Sequence, residues 1–167
     1  GYREVGQEYL QNVLDTAKQL DAYDSGRIYY YLGEYQKAYL ALDEARDKGG
    51  ADSYLYLGRA YAATGDYNYA SSVYNNYLSK QGPNAEIYNE LGLCEMAKKE
   101  YQNALVAFQA GKQIEGNSLM QTLCFNEIVA YEYLEDYQQA EVLMNAYLQN
   151  YPDDQTAIRE QQFLSTR

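Results

Sequence analysis

The side chains in this sequence that are capable of chemistry are carboxylates, two thiols and a few cations. There are 24 Asp and Glu against 13 Lys and Arg, a formal net charge of −11. Acids occur in pairs, as in Glu135-Asp136 and Asp153-Asp154, which raises the question of general acid–base work. Each pair, however, sits at a turn before a helical stretch, where capping of free backbone N–H groups explains it. The chain has no histidine, so the usual general base at neutral pH is missing. Paired CxxC elements, an acid-rich calcium loop and a phosphate-cradling glycine loop are also absent. The expectation is a protein that is not an enzyme and holds no cofactor or metal.

The charge narrows the partners. A nucleic-acid site needs a basic patch that neutralises phosphates, and no Lys/Arg cluster exists in the sequence. An acidic surface also argues against anionic membranes, and no stretch is long and apolar enough to span a bilayer. The acids read as a solvated helix exterior, with a docking surface for a basic partner as the alternative. An apolar content of 47% supports a substantial core. The chain opens on Gly1 with no leader sequence and is rich in Tyr, Asn and Gln. That suggests an exported or surface-anchored bacterial protein, or a fragment, with the cytoplasm as the alternative.

The elements that must position these groups are announced by a repeated phrase. It occurs as Gly33-Glu34-Tyr35-Gln36-Lys37-Ala38, Gly65-Asp66-Tyr67-Asn68-Tyr69-Ala70, Lys99-Glu100-Tyr101-Gln102-Asn103-Ala104 and Glu135-Asp136-Tyr137-Gln138-Gln139-Ala140. The tyrosine recurs at steps of 32, 34 and 36 residues. A period near 34 marks stacked helix pairs, in which no single unit buries its apolar face alone. Tyr54, Leu57, Gly58 and Tyr61 share one helical stripe, and Ala70, Tyr74 and Tyr77 share another. Gly58 and Ala70, small among large neighbours, suit a close helix crossing. Gly33 and Gly65 suit C-terminal caps and Asp66 an N-cap. Gly49-Gly50, Gly82-Pro83-Asn84 and Gly116-Asn117-Ser118 separate units. Ser118-Leu119-Met120-Gln121 has the capping-box pattern and predicts an early start for the fourth unit.

Apolar stretches frame each phrase, such as Tyr54-Leu55-Tyr56-Leu57-Gly58-Arg59-Ala60-Tyr61 before it and Val73-Tyr74-Asn75-Asn76-Tyr77-Leu78 after it. This pattern resembles the tetratricopeptide repeat family. The resemblance implies an all-α, right-handed solenoid of stacked antiparallel helix pairs, about ten helices over residues 1–167. The repeats fall at about 19–50, 51–84, 85–120 and 121–154, after an N-terminal helix in 1–18 and before a cap helix in 155–167. Val13, Leu14, Ala17 and Leu20 give the first helix its apolar side. The sequence departs from the family pattern in having no tryptophan, Ala22 in place of an aromatic, and Ile128 in place of a glycine. In this register Cys94 and Cys124 lie about six residues out of step on parallel helices. That is roughly 9 Å of rise, too far for a disulfide, so both read as buried small hydrophobes.

Family members hold peptides against their first helices. Carried over by register, the resemblance implies a partner-binding groove of Tyr23, Arg27, Tyr30, Tyr31, Leu55, Arg59, Asn89, Leu93, Met96, Phe125, Val129 and Tyr133, with Glu132 beside them. Arg27 and Arg59 occupy equivalent places 32 residues apart. The alternatives are that these arginines pair with acids such as Asp24 or Asp52, and that Tyr30 and Tyr31 pack on the first helix. The basic clamp that some members use on carboxylate tails is not expected, because Glu86 and Glu90 stand where cations are needed. Two functions remain: a module that binds a protein or peptide, and an assembly protein whose 22 tyrosines make it self-associate.

Overall fold

A computed structural model describes residues 2–17, 19–46 and 50–167. Gly49 of the Gly49-Gly50 separator lies outside the described residues, as does Gly1. Among the described residues there are ten helices and no strand: α1 Tyr2–Thr16, α2 Ala22–Leu32, α3 Tyr35–Glu44, α4 Gly50–Ala63, α5 Tyr67–Gln81, α6 Ala85–Ala97, α7 Tyr101–Lys112, α8 Met120–Tyr133, α9 Tyr137–Asn150 and α10 Gln155–Leu164. They form two compact units, Gly1–Gly82 with α1 to α5 and Pro83–Arg167 with α6 to α10. The division falls at the Gly82-Pro83-Asn84 separator. Within each unit consecutive helices pack on one another, and in the first α2 also reaches α4.

One backbone device shapes the turn inside each helix pair. Gly33, Gly65, Lys99 and Glu135 all take left-handed conformations, with φ of 80°, 84°, 65° and 61°. The next residue's N–H then bonds back to the preceding helix: Glu34 to the Tyr29 carbonyl, Asp66 to Tyr61, Glu100 to Glu95 and Asp136 to Tyr131, each at 2.9–3.0 Å. This closes the helix end as a Schellman motif does. Glycine adopts the conformation without steric cost, whereas Lys99 and Glu135 hold it against a Cβ penalty. The acid that follows caps the second helix in two copies. Asp66 accepts from the Tyr69 N–H and Asp136 from the Gln139 N–H, both at 3.1 Å. Glu34 and Glu100 make no such bond.

The helix crossings are set by complementary volumes. Ala38, Ala70, Ala104 and Ala140 are fully buried. A Cβ on Gly26 would overlap Leu42, one on Gly58 the Tyr74 ring, and one on Gly92 the Phe108 ring. In each pair the large residue follows the glycine by sixteen residues. The same spacing in the fourth copy joins Ile128 to Met144, both buried in one apolar cluster. The branched residue in place of glycine is accommodated because flexible Met144 replaces the flat ring.

Several local expectations are corrected. The Ser118–Gln121 capping box does not form: α8 starts at Met120 with no side-chain cap on Leu119. Asn117 instead accepts from the Leu119 N–H at 3.1 Å and donates to the Ile114 carbonyl at 2.6 Å, bracing the α7–α8 loop. Helix α1 buries no residue. It ends at Thr16, so Ala17 and Leu20 lie beyond it, and Ala17 is exposed. Both cysteines are free and Cys94 is buried, as expected, whereas Cys124 is only half-buried. Burial pushes the Cys94 thiol up to about 12 and also raises Cys124, so neither is an activated nucleophile.

Candidate partner-binding surfaces

In the first unit the side chains expected on the first helices gather around a residue absent from the sequence-based set, Tyr56. It lies two residues after Tyr54 on α4, pointing away from the core stripe. The Arg27 guanidinium carbon lies 5.2 Å from the Tyr23 ring centroid and 5.2 Å from that of Tyr56. Arg59 approaches the same Tyr56 ring at 5.9 Å. The Tyr31 and Tyr56 hydroxyls are 2.6 Å apart, and that bond pushes the Tyr31 phenol up from its ordinary value. Tyr30 meets Tyr31 and Tyr56 edge to face at 5.5 and 5.4 Å. Arg27 is therefore stacked between two rings of its own unit, with a buried Nε that no hydrogen bond meets. Asp52, the acid considered for it, accepts from the Tyr23 hydroxyl at 3.3 Å. Tyr30 and Tyr31 both meet Tyr56 of α4 through their rings. Leu55 is 3% exposed and leaves the surface for the core.

In the second unit the expected residues separate into two groups. Asn89 is buried, and its Oδ1 accepts from Asn126 Nδ2 at 2.9 Å, so it joins α6 to α8 and does not face a partner. Met96 packs against the cluster of Ala104, Leu105, Phe108, Leu123 and Ala130, while Leu93 is exposed. Phe125, Val129, Glu132 and Tyr133 are brought together by α8. With Glu135, Tyr137 and α10's Thr156, Glu160 and Phe163 they line an open pocket of about 550 Å³. Burial, and then the Glu160 charge, push the Glu132 carboxyl up to about 7. Its Oε1 is buried and receives no hydrogen bond.

Helix α10, which forms the far wall, is held firmly on α9. Asp154 caps it, accepting from the Thr156 and Ala157 N–H groups at 3.0 and 3.1 Å. The same carboxylate accepts from the Tyr147 hydroxyl at 2.7 Å, and Ala157 and Leu164 are buried below. Elsewhere in the unit, buried Glu127 accepts from Lys112 Nζ at 2.5 Å and Gln109 Nε2 at 2.8 Å, tying α7 to α8. Among the described residues no cluster of acids, thiols or imidazoles is arranged to hold a metal, and no helix is long and apolar enough to cross a membrane.

The pocket combines aromatic walls with three carboxylates. What sequence reasoning missed is the contribution of α10 and of Tyr56. Tyr56 carried a signal, since it lies three residues before Arg59 on the same helix.

Models of the tetratricopeptide repeat match residues 23–70 and 125–154. Among solved structures, MamA from AMB-1 is 22% identical, with 87% of this chain aligned to 86% of that one at a TM-score of 0.70. MamA from MSR-1 is 20% identical, covering 96% of this chain and 85% of that one at 0.66. A chain of the APC/C hetero-tetramer Cut9-Hcn1 is 19% identical; 98% of this chain covers 33% of it at 0.69. Such identities establish the all-α helix-pair fold and nothing finer. No curated protein sequence matches the chain.

Proposed function

Because the chain is a tetratricopeptide repeat protein, a fold that serves as a protein-interaction scaffold rather than a catalyst, we propose that it binds a protein or peptide partner across its first-helix surfaces. The observation that carries this reading is the convergence of Phe125, Val129, Glu132 and Tyr133 from α8 with residues of α10 on one open, aromatic-walled pocket. Concave sites with apolar walls and a few polar groups are where ligands bind. Aromatic residues commonly dominate such contacts. In the first unit Tyr31 is 53% exposed beside the Arg27–Tyr56–Arg59 stack, a stiff aromatic platform that loses little freedom on binding.

The competing reading, self-association, is supported by Leu40, Val106 and Val142. These occupy equivalent second-helix positions and are 69%, 62% and 58% exposed. A photoreactive phenylalanine analogue placed singly at 31, 93, 133, 106 and 142 separates the two in extract of the native source. Adducts with another protein at 31, 93 or 133, and none at 106 or 142, are expected. Adducts of twice the chain's own mass, confined to 106 and 142, would overturn the partner-binding reading in favour of assembly.

A further inference from the structure

We propose that the pocket between α8 and α10 receives the side chain of a lysine or arginine from the bound partner. This rests on the partner-binding reading and adds the chemistry of the residue recognised.

Four rings, Phe125, Tyr133, Tyr137 and Phe163, stand around Glu132, Glu135 and Glu160, and no Lys or Arg is among the lining residues. Aromatic faces attract a cation through their quadrupole, more strongly as it sheds water. Carboxylates among the lining residues then supply its counter-charge. Glu132 has an acceptor oxygen, Oε1, withdrawn from solvent and without a donor. Such an unmet group is costly, and an incoming ammonium or guanidinium would relieve it. A neutral apolar side chain would leave it unmet, and an anion would face three carboxylates. The rim already holds a cation of this kind: the Arg167 guanidinium carbon lies 4.4 Å from the Phe163 centroid and 5.8 Å from that of Tyr137. The net charge of −11 favours approach of a basic segment at low salt.

The ionisable or charged groups facing Glu132 are Tyr133 on its own helix, Glu135 in the turn, Tyr137 on α9 and Glu160 on α10, with Arg167 beside Phe163. The Glu132 carboxyl, raised to about 7 by burial and the Glu160 charge, would be drawn down by a bound cation. Binding should therefore release a proton near neutrality, and affinity should rise between about pH 6 and 8.

The probes are four peptides, acetyl-Gly-Leu-X-Leu-Gly-amide, with X as Arg, Lys, norleucine or Glu. Each is titrated into the isotope-labelled chain at low salt and followed by amide NMR at pH 6, 7 and 8. The Arg and Lys peptides should shift the amides of Val129, Glu132, Tyr137, Glu160 and Phe163. They should bind at least tenfold tighter than the norleucine and Glu peptides, and several-fold tighter at pH 8 than at pH 6. E132Q/E160Q should lose tenfold or more with the rest of its spectrum unchanged. E160Q alone, on the rim, should lose about threefold and serves if the double variant folds poorly. Equal or tighter binding of the norleucine or Glu peptide, undiminished binding by the variants, or no shift with any peptide at millimolar concentration overturns the proposal. A natural partner that cross-links at 133 equally well in E132Q/E160Q overturns the basic-residue assignment while leaving partner binding intact. Absence of adducts at every first-helix position removes the partner-binding reading itself.

Discussion

Replacing Glu132 by glutamine should stabilise the protein, and only where the carboxylate would otherwise be ionised. In the folded chain burial and the Glu160 charge raise this carboxyl from 4.5 to about 7. At 1.36 kcal/mol per tenfold change in proton affinity, the upper bound is about 3 kcal/mol. Glu132 is only half-buried, so solvent screening reduces this to about 1–1.5 kcal/mol. The sign follows from linkage: the folded state holds the proton more tightly than the unfolded chain does. The associated stability is complete below about pH 4.5 and is lost as pH rises through about 7. A glutamine side chain at this position has no proton to lose. E132Q should therefore match the parent near pH 4 and exceed it by about 1 kcal/mol at pH 8, equivalent to about 2–4 °C in Tm for a chain of this size. Thermal melts followed by circular dichroism at pH 4, 6, 7 and 8 give the comparison. Parallel profiles for the two proteins, or a less stable E132Q at pH 8, would refute the burial argument. A site residue that reduces the stability of the free protein is the pattern expected where binding, rather than folding, determines the residue.

Two further outcomes test the packing. Ala104→Arg puts a charged chain where no space is exposed, against Phe108 and Leu123; a loss of several kcal/mol is expected in urea denaturation, and an unchanged midpoint would disprove the helix register. Asn84→Ala removes the acceptor for the Glu86 and Ile87 N–H groups, at 2.9 and 3.0 Å; the expected cost is about 1 kcal/mol, and retention of the parent's stability by Asn84→Asp would identify capping as the cause.

Much of the fold was legible because its determinants are short-range. The left-handed turn, the acid after it, the tyrosine and the buried alanine recur in one phrase, and each acts within a few residues of its own position. Even Gly58 with Tyr74, or Ile128 with Met144, joins two helices linked by a tight turn. Where one spatial arrangement admits several side-chain solutions, the sequence was less informative. Ser118 and Gln121 satisfied a capping pattern, yet Asn117 bridges that loop to the preceding helix and no capping box forms.

The candidate sites depended on contacts between helices far apart in the chain. Register placed Leu55 and Asn89 on the binding face, but burial of a leucine and an Asn89–Asn126 hydrogen bond depend on what the neighbouring helix presents. Arg27 and Arg59 were recognisable as equivalent; only the folded unit shows that both turn to Tyr56. Glu132 and Glu160 stand 28 residues apart in the sequence, and neither is unusual on its own helix. They share a pocket because Asp154 caps α10 and, through the Tyr147 hydroxyl, holds it against α9. Helical periodicity and turn chemistry, being local, determined which helices form and which faces they bury. The withdrawal of one carboxylate oxygen from water is a sum over three helices, and tertiary packing alone decided it.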